Sequence, residues 1–151
     1  MPPVDALENR MLSALGTILG TIDGNPANWL TKPTIAEGDP MDAIPSAGAP
    51  NIYYHLAVNE PIPENNSSLR RHGMRVSFAI WIFGSDDREM QKAAGDVRRA
   101  IFAGESPAVT AFGAMFNLGT FDRRPEFRQA GRSAGLYVVS ADVSVDHQDV
   151  N

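Results

Sequence analysis

Residues 75–102 carry the clearest pattern of apolar and polar positions in the chain. Apolar side chains occupy every second position at the start of this stretch: Val76, Phe78, Ile80 and Ile82. This alternation predicts a strand, 75–83, with one buried face. Polar residues then interrupt it, and Ser85 or Asp86 is a suitable helix N-cap. Apolar positions next recur at helical spacing up to Ile101, so the pattern predicts a helix over 86–102 packed beside the strand.

The rest of the chain supplies one more helix and three more strands. The periodicity predicts a helix over residues 7–22 and strands over 51–58, 114–121 and 136–146. The order is therefore helix, strand, strand, helix, strand, strand. Antiparallel hairpins joined through one helix give a mainly antiparallel four-stranded sheet with two helices on one face. The sequence thus predicts an α+β fold in a single domain that covers residues 1–151.

Two long segments show no period. Residues 24–51 hold five prolines and several glycines, which predicts a long loop, and long loops inside compact domains are often functional. Trp29 is an apolar anchor in that loop, holding it either to its own domain or to a neighbouring subunit. The polar, proline-containing stretch within 59–74 predicts an extended arm between two antiparallel strands. Arg70 and Arg71 lie where the arm returns.

No residue pattern indicates catalysis or a cofactor. Gly131-Arg132-Ser133-Ala134-Gly135 matches the letters of a nucleophile elbow, but a polar stretch precedes it and a strand follows it. We interpret it as a turn into the last strand. The histidines His55, His72 and His147 show no metal-site spacing, and no glycine-rich phosphate loop is present. The sequence therefore predicts a protein that is not an enzyme and that binds neither metal nor cofactor.

Composition limits the class of protein further. The 151 residues carry a net charge of −5 and contain no cysteine, which argues against a general nucleic-acid binder and excludes disulfides and thiolate chemistry. The sequence shows neither a secretory leader pattern nor a run long enough to span a membrane. We therefore expect synthesis in a cytoplasm and no membrane partner.

Charge is distributed unevenly along the chain. Residues 1–69 hold eight acids and two bases, a net charge of −6, whereas residues 70–132 hold eleven bases and seven acids, a net charge of +4. Eleven of the thirteen bases are arginine, which pairs with carboxylates in bidentate geometry. This distribution suits a molecule that packs against copies of itself, although an uneven solvated surface explains it equally well.

The order of elements resembles that of a known family. The strand 75–83 leads into the helix 86–102, and Gly119-Thr120-Phe121-Asp122-Arg123-Arg124 precedes a last strand over 136–147. This arrangement resembles the tail terminator proteins of long-tailed bacteriophages. A related neck, head-completion or tail-completion protein stays open as an alternative within the same class.

The resemblance implies a virion structural protein, located in the tail or neck and assembled in the host bacterial cytoplasm. Such a protein forms a ring, with six members expected, that caps the tail tube, ends its elongation and joins it to the head connector. Its partners would be copies of itself, the tube protein, the connector or neck protein, and double-stranded DNA passing through the lumen without sequence-specific binding. The predicted subunit-interface residues are Arg70, Arg71, Arg123, Arg124 and Trp29. The predicted lumen residues are Asp142, Ser144 and Asp146, which the ordinary solvent-exposed face of the last strand explains equally well.

Two other classes compete with this interpretation. A small ligand-binding α+β domain or enzyme would have its site in loop 24–51 near Trp29, but no nucleophile, carboxylate pair or metal cluster accompanies it. A nucleic-acid-binding module would use the arginines of the basic middle: Arg70, Arg71, Arg98, Arg99, Arg123 and Arg124. The acidic net charge and the buried pattern of the aromatic residues argue against that module.

Overall fold

Two helices and six strands make up the part of the chain that the computed structural model describes. That part is residues 7–40, 51–61, 71–103, 116–124 and 133–146, with the backbone alone at 7, 58–61, 71–74 and 143–146. In chain order the elements are α1 (Leu7–Leu19), β1 (Thr34–Glu37), β2 (Asn51–Pro61), β3 (Arg71–Gly84), α2 (Asp87–Phe102), β4 (Asn117–Leu118), β5 (Asp122–Arg123) and β6 (Ser133–Asp146).

The strands form one sheet in the order β1-β2-β3-β6-β4, and β5 also pairs with β6. β1 runs parallel to β2, whereas every other pairing is antiparallel. The predicted α+β class and mainly antiparallel sheet are therefore confirmed, but the prediction of four strands is wrong. β1 lies inside the predicted loop 24–51. Its four residues are too few to show a period, and the ladder to β2 holds them in the sheet.

Several predicted boundaries move because strand pairing extends further than the apolar pattern does. β2 continues to Pro61, and β3 begins at Arg71. Both ends of the predicted arm, 59–61 and 71–74, are therefore paired strand. Residues 62–70 lie outside the described residues. β6 begins at Ser133, so Ser133, Ala134 and Gly135 are strand rather than the predicted turn. Of the predicted strand 114–121, only Asn117–Leu118 is strand in the described part.

Both helices pack on the same face of the sheet. The alternating side chains of β3 that the sequence indicated, Val76, Phe78, Ile80 and Ile82, are all fully buried. They join one core with apolar residues of both helices, among them Leu15 of α1 and Val97 of α2. α1 lies over β2 and beside α2, and α2 lies over β3 and β6. This two-layer arrangement is the one that the sequence predicted.

The start of α2 is fixed by its cap. Asp86 is the N-cap, and its side chain accepts a hydrogen bond from the Glu89 amide at 2.8 Å. The Glu89 carboxylate accepts from the Ser85 amide at 3.0 Å and from the Ser85 hydroxyl at 2.9 Å. The bond to the Glu89 amide satisfies one of the donors that a helix N-terminus leaves without an intrahelical partner, and the Glu89 carboxylate in turn binds the residue before the cap. The predicted capping role of Asp86 is confirmed.

Candidate subunit interface

Three strands continue past the part of the sheet that the helices cover. β3 and β6 pair without interruption over fourteen residues, from Gly84 opposite Ser133 to Arg71 opposite Asp146. The last core residues on these strands are Val76 and Ala141. We call the three-stranded part beyond them, residues 58–61, 71–75 and 142–146, the strand extension.

The two outer edges of the strand extension, one on β2 and one on β6, have no further strand partner in the described residues. β1 pairs only with the first four residues of β2, Asn51 to Tyr54. β4 and β5 pair only with Gly135, Leu136, Val139 and Ser140 of β6. Both outer strands of the extension therefore present a row of backbone donors and acceptors. Such an edge is a template for pairing with another chain.

An ion pair lies at the base of the strand extension. Arg75 and Asp142 are register partners, and Arg75 binds the carboxylate with both Nε and Nη2, at 2.8 and 3.1 Å. The hydrogen bond from Arg75 holds the pKa of Asp142 below its ordinary value, against the opposing effect of partial burial. Asp142 was predicted to line a DNA passage. Its charge is offset within the same chain, so it contributes less negative potential than a free carboxylate would.

This pair makes a small pH-dependent contribution to stability. Because the pKa of Asp142 is lower in the folded chain, the contribution is present above the unfolded pKa, about 3.9, and is lost as the pH falls through the folded value. Both side chains are nearly half exposed, so we expect Asp142→Asn to cost about 0.5 kcal/mol at pH 7. Urea unfolding should show that difference disappearing as the pH falls through the folded pKa of Asp142. A double-mutant cycle with Arg75→Gln is the control, since a cost unchanged in the Gln background would contradict the pairing.

The structure brings the predicted lumen residues together with part of the predicted interface. In the β3–β6 register, Ser144 lies opposite Gly73 and Asp146 lies opposite Arg71. The lumen set and Arg71 therefore belong to one surface, the strand extension. Arg70 lies outside the described residues.

The other predicted interface residues lie elsewhere. Arg123 pairs in register with Gly135, eleven residues along β6 from Asp146, a distance of about 36 Å at strand spacing. Arg123 binds Asp87 of α2 at 3.2 Å, and Arg124 binds Asp122 at 3.3 Å. Both arginines thus have a partner within the chain, and Arg123 ties β5 to the start of α2. Their role between subunits stays a prediction.

Trp29 lies in the helical layer, where it packs half-buried against the core. The loop that carries it is fixed by Asp96, which is 2% exposed on α2. Its carboxylate accepts hydrogen bonds from the Leu30 amide at 3.0 Å, the Thr31 amide at 2.8 Å and the Thr31 hydroxyl at 2.6 Å. These contacts support the interpretation in which Trp29 holds the loop to its own domain. Contact of Trp29 with a neighbouring subunit stays a prediction.

The sheet face away from the helices carries an aromatic and apolar strip. Tyr53 and Trp81 are register partners, Leu136 lies opposite Trp81, and Val138 is 43% exposed. The Trp81 indole donates to His55 Nε2 at 3.0 Å, while His55 Nδ1 lies 3.1 Å from the Leu56 carbonyl. His55 therefore holds its proton on Nδ1 and has both ring nitrogens occupied. His55 is thus a structural residue of β2 among aromatic neighbours.

A shallow groove lies where a ligand-binding site near loop 24–51 would be. It encloses about 340 Å³ and is lined by Leu30, Thr31, Lys32, Asp86, Arg88, Glu89 and Lys92. Its two acids, Asp86 and Glu89, already cap α2. No group of three or more acids and histidines within the described ranges is placed to hold a metal ion. The groove therefore provides little chemistry for a catalytic site.

Neither α1 nor α2, the helices of the described part, is long and apolar enough to cross a membrane.

Comparison with known proteins gives similarity of structure without similarity of sequence. No protein-family model matches the chain, and no curated protein matches it. Its fold is similar to the sheath/tube terminator of an extracellular contractile injection system, PVC, in the extended state, with a TM-score of 0.53 and 13% identity. That match covers 97% of this chain, which spans 60% of the length of the terminator. A chain of the native gene transfer agent virion matches with a TM-score of 0.48 and 15% identity, over 93% of this chain and 96% of that one.

Proposed function

We propose that this chain is a tail terminator, a structural protein that forms a ring on the end of a phage-like tail tube. The ring, expected to have six members, ends tube elongation and presents its other face to the head connector or neck protein. Double-stranded DNA passes through the lumen without sequence-specific contacts. The chain acts by fitting against other proteins, as a single domain and not as an enzyme, and it is located in the tail or neck of the particle.

The observation that carries this proposal is the strand extension with its two open edges. The extension belongs to a fold that is similar to that of a sheath/tube terminator. The open edge of β2 and the open edge of β6 lie on opposite sides of the same three strands. If the β6 edge of one copy pairs with the β2 edge of the next, the contact is head to tail. A head-to-tail contact that closes by rotation produces a ring.

One substitution at the open edge of β2 tests the assembly. Leu56 is 40% exposed two residues before the strand extension and beyond Tyr54, the last residue of β2 that pairs with β1. A lysine in its place should block strand addition, because charged side chains are a common protection of sheet edges. We expect Leu56→Lys to remain folded by circular dichroism and to lose rings in electron micrographs of the protein mixed with tail tubes. Light scattering after size exclusion measures any assembly that forms without tubes.

Val138→Lys is the matched control. Val138 is similarly exposed, but it lies on β6 where β3 flanks the strand on one side and β4 on the other, so it is not at an open edge. This variant should keep the wild-type assembly. Rings that survive Leu56→Lys unchanged would contradict assembly through this edge.

A further inference from the structure

One side of the subunit, at the β4 end of the sheet, exposes a cation and an aromatic ring on α2. Arg98 is exposed there and forms no ion pair with a carboxylate of the described residues. The charge of Arg98 acts on Tyr137 of β6, where it opposes the increase in pKa that burial causes. Arg98 therefore faces the β6 and β4 side of the domain. Phe102, about 40° from Arg98 around the helix axis, is 62% exposed at the end of α2.

The opposite side, at the β1 end of the sheet, exposes carboxylates. β1 is the terminal strand, and Glu37 at its end and Asp39 just after it are exposed. Burial and then the charge of Glu37 raise the pKa of Tyr54 on the neighbouring strand β2. Leu30, bonded to Asp96 of α2, is 70% exposed. Asp96 and Arg98 are about 200° apart around the α2 axis, so they lie on opposite flanks of that helix.

From this arrangement we infer that Arg98 and Phe102 of one copy bind the Glu37 and Asp39 side of the next copy. In a row of subunits joined head to tail, the β1 end of one sheet meets the β4 end of its neighbour. The opposite charges and the exposed apolar side chains then face each other across the contact. The inference depends on the proposed ring and identifies its lateral contact.

The residue types on this α2 surface favour binding to a second copy of this chain over binding to nucleic acid. An exposed phenylalanine beside an arginine is typical of the compositional bias of protein interfaces. The chain also carries a net charge of −5, which opposes binding to phosphates outside the local basic patch. The required acidic partner surface is present on the same chain, and complementary charges of this kind fix register and orientation between subunits.

Cross-linking between single-cysteine variants tests the contact. The natural sequence contains no cysteine, so the introduced residue is the only thiol that can react. Arg98→Cys and Glu37→Cys proteins are mixed and treated with a short bismaleimide. We expect the mixture to form a cross-linked dimer and each variant alone to form few cross-links. Ser13→Cys, exposed on α1, is the control and should give no product with Glu37→Cys. Absence of the mixed product overturns the inference.

Charge reversal gives a second, independent measurement. Replacing Arg98 with glutamate should lower the cross-linking yield or ring fraction about tenfold, and Glu37→Arg with Asp39→Arg should do the same. Combining the two reversed surfaces in one chain should restore assembly. If rings form normally and no charge reversal changes the cross-linking yield or the ring fraction, the inferred contact is wrong, but the proposed ring is not contradicted. If the arginine reversal instead abolishes salt-sensitive DNA binding and leaves assembly intact, the surface binds DNA and the inference is overturned.

Discussion

Asp96→Ala is expected to lower the free energy of unfolding by about 3 kcal/mol, the largest effect of any single change considered. The carboxylate is 2% exposed and accepts from two backbone amides and one hydroxyl in the segment after Trp29. Alanine removes the acceptor and leaves those donors without a partner in a partly buried position. The loss corresponds to a decrease in melting temperature of about 6–12 °C for a chain of this size, measured by calorimetry or urea unfolding.

Two variants separate this effect from a general loss of charge. Asp87→Asn changes a carboxylate on the same helix whose side chain is 44% exposed, and it should cost no more than about 1 kcal/mol. Thr31→Val removes only the hydroxyl donor and leaves both amide bonds in place, so it should cost about 1 kcal/mol. A loss for Asp96→Ala no larger than for Asp87→Asn would show that the Asp96 contacts do not stabilise the loop.

Gly84→Ala is expected to destabilise the chain by about 2 kcal/mol because β3 and α2 approach too closely there for a side chain. A Cβ at Gly84 would lie 2.5 Å from the Met90 amide nitrogen and 2.9 Å from the Met90 Cα. Both atoms are backbone of the first turn of α2, so neither can rotate away. The helix would have to shift from the strand and disturb the cap formed by Asp86.

Gly95→Ala is the matched control, with the opposite sign. Gly95 lies in the same helix, and the nearest atom to a new Cβ is Arg98 Nη2 at 3.9 Å. Alanine fits there and favours the helix by about 0.5–1 kcal/mol. The two variants should therefore shift the melting temperature in opposite directions. Equal shifts of the same sign would contradict a steric constraint at Gly84.

The sequence was sufficient to predict elements whose own pattern is strong. The strand and helix on either side of Gly84 were predicted within a few residues, because alternation on β3 and helical spacing on α2 are uninterrupted and Asp86 is a good cap. β1 could not be predicted this way, since its strand structure comes from pairing with β2, fifteen or more residues later. The same holds for the two residues of β5.

The candidate site was predicted only in part, for a related reason. The sequence pointed to Arg71 and Asp146 separately, but only the register of β3 with β6 places them opposite each other. Asp96 was missed altogether: an acid on a helix with many charges looks like a surface residue, and its burial depends on a loop sixty-five residues earlier in the chain. Long-range pairing of this kind leaves no local signal.

The length of tail tubes assembled in the presence of the chain tests the central claim most directly. Tube protein is polymerised with and without this chain, and lengths and tube ends are measured by electron microscopy. A terminator gives shorter tubes that carry one ring at an end, an effect that Leu56→Lys should abolish and Val138→Lys should preserve. Tubes of unchanged length with bare ends, under conditions in which the wild-type chain is folded, would contradict a terminator.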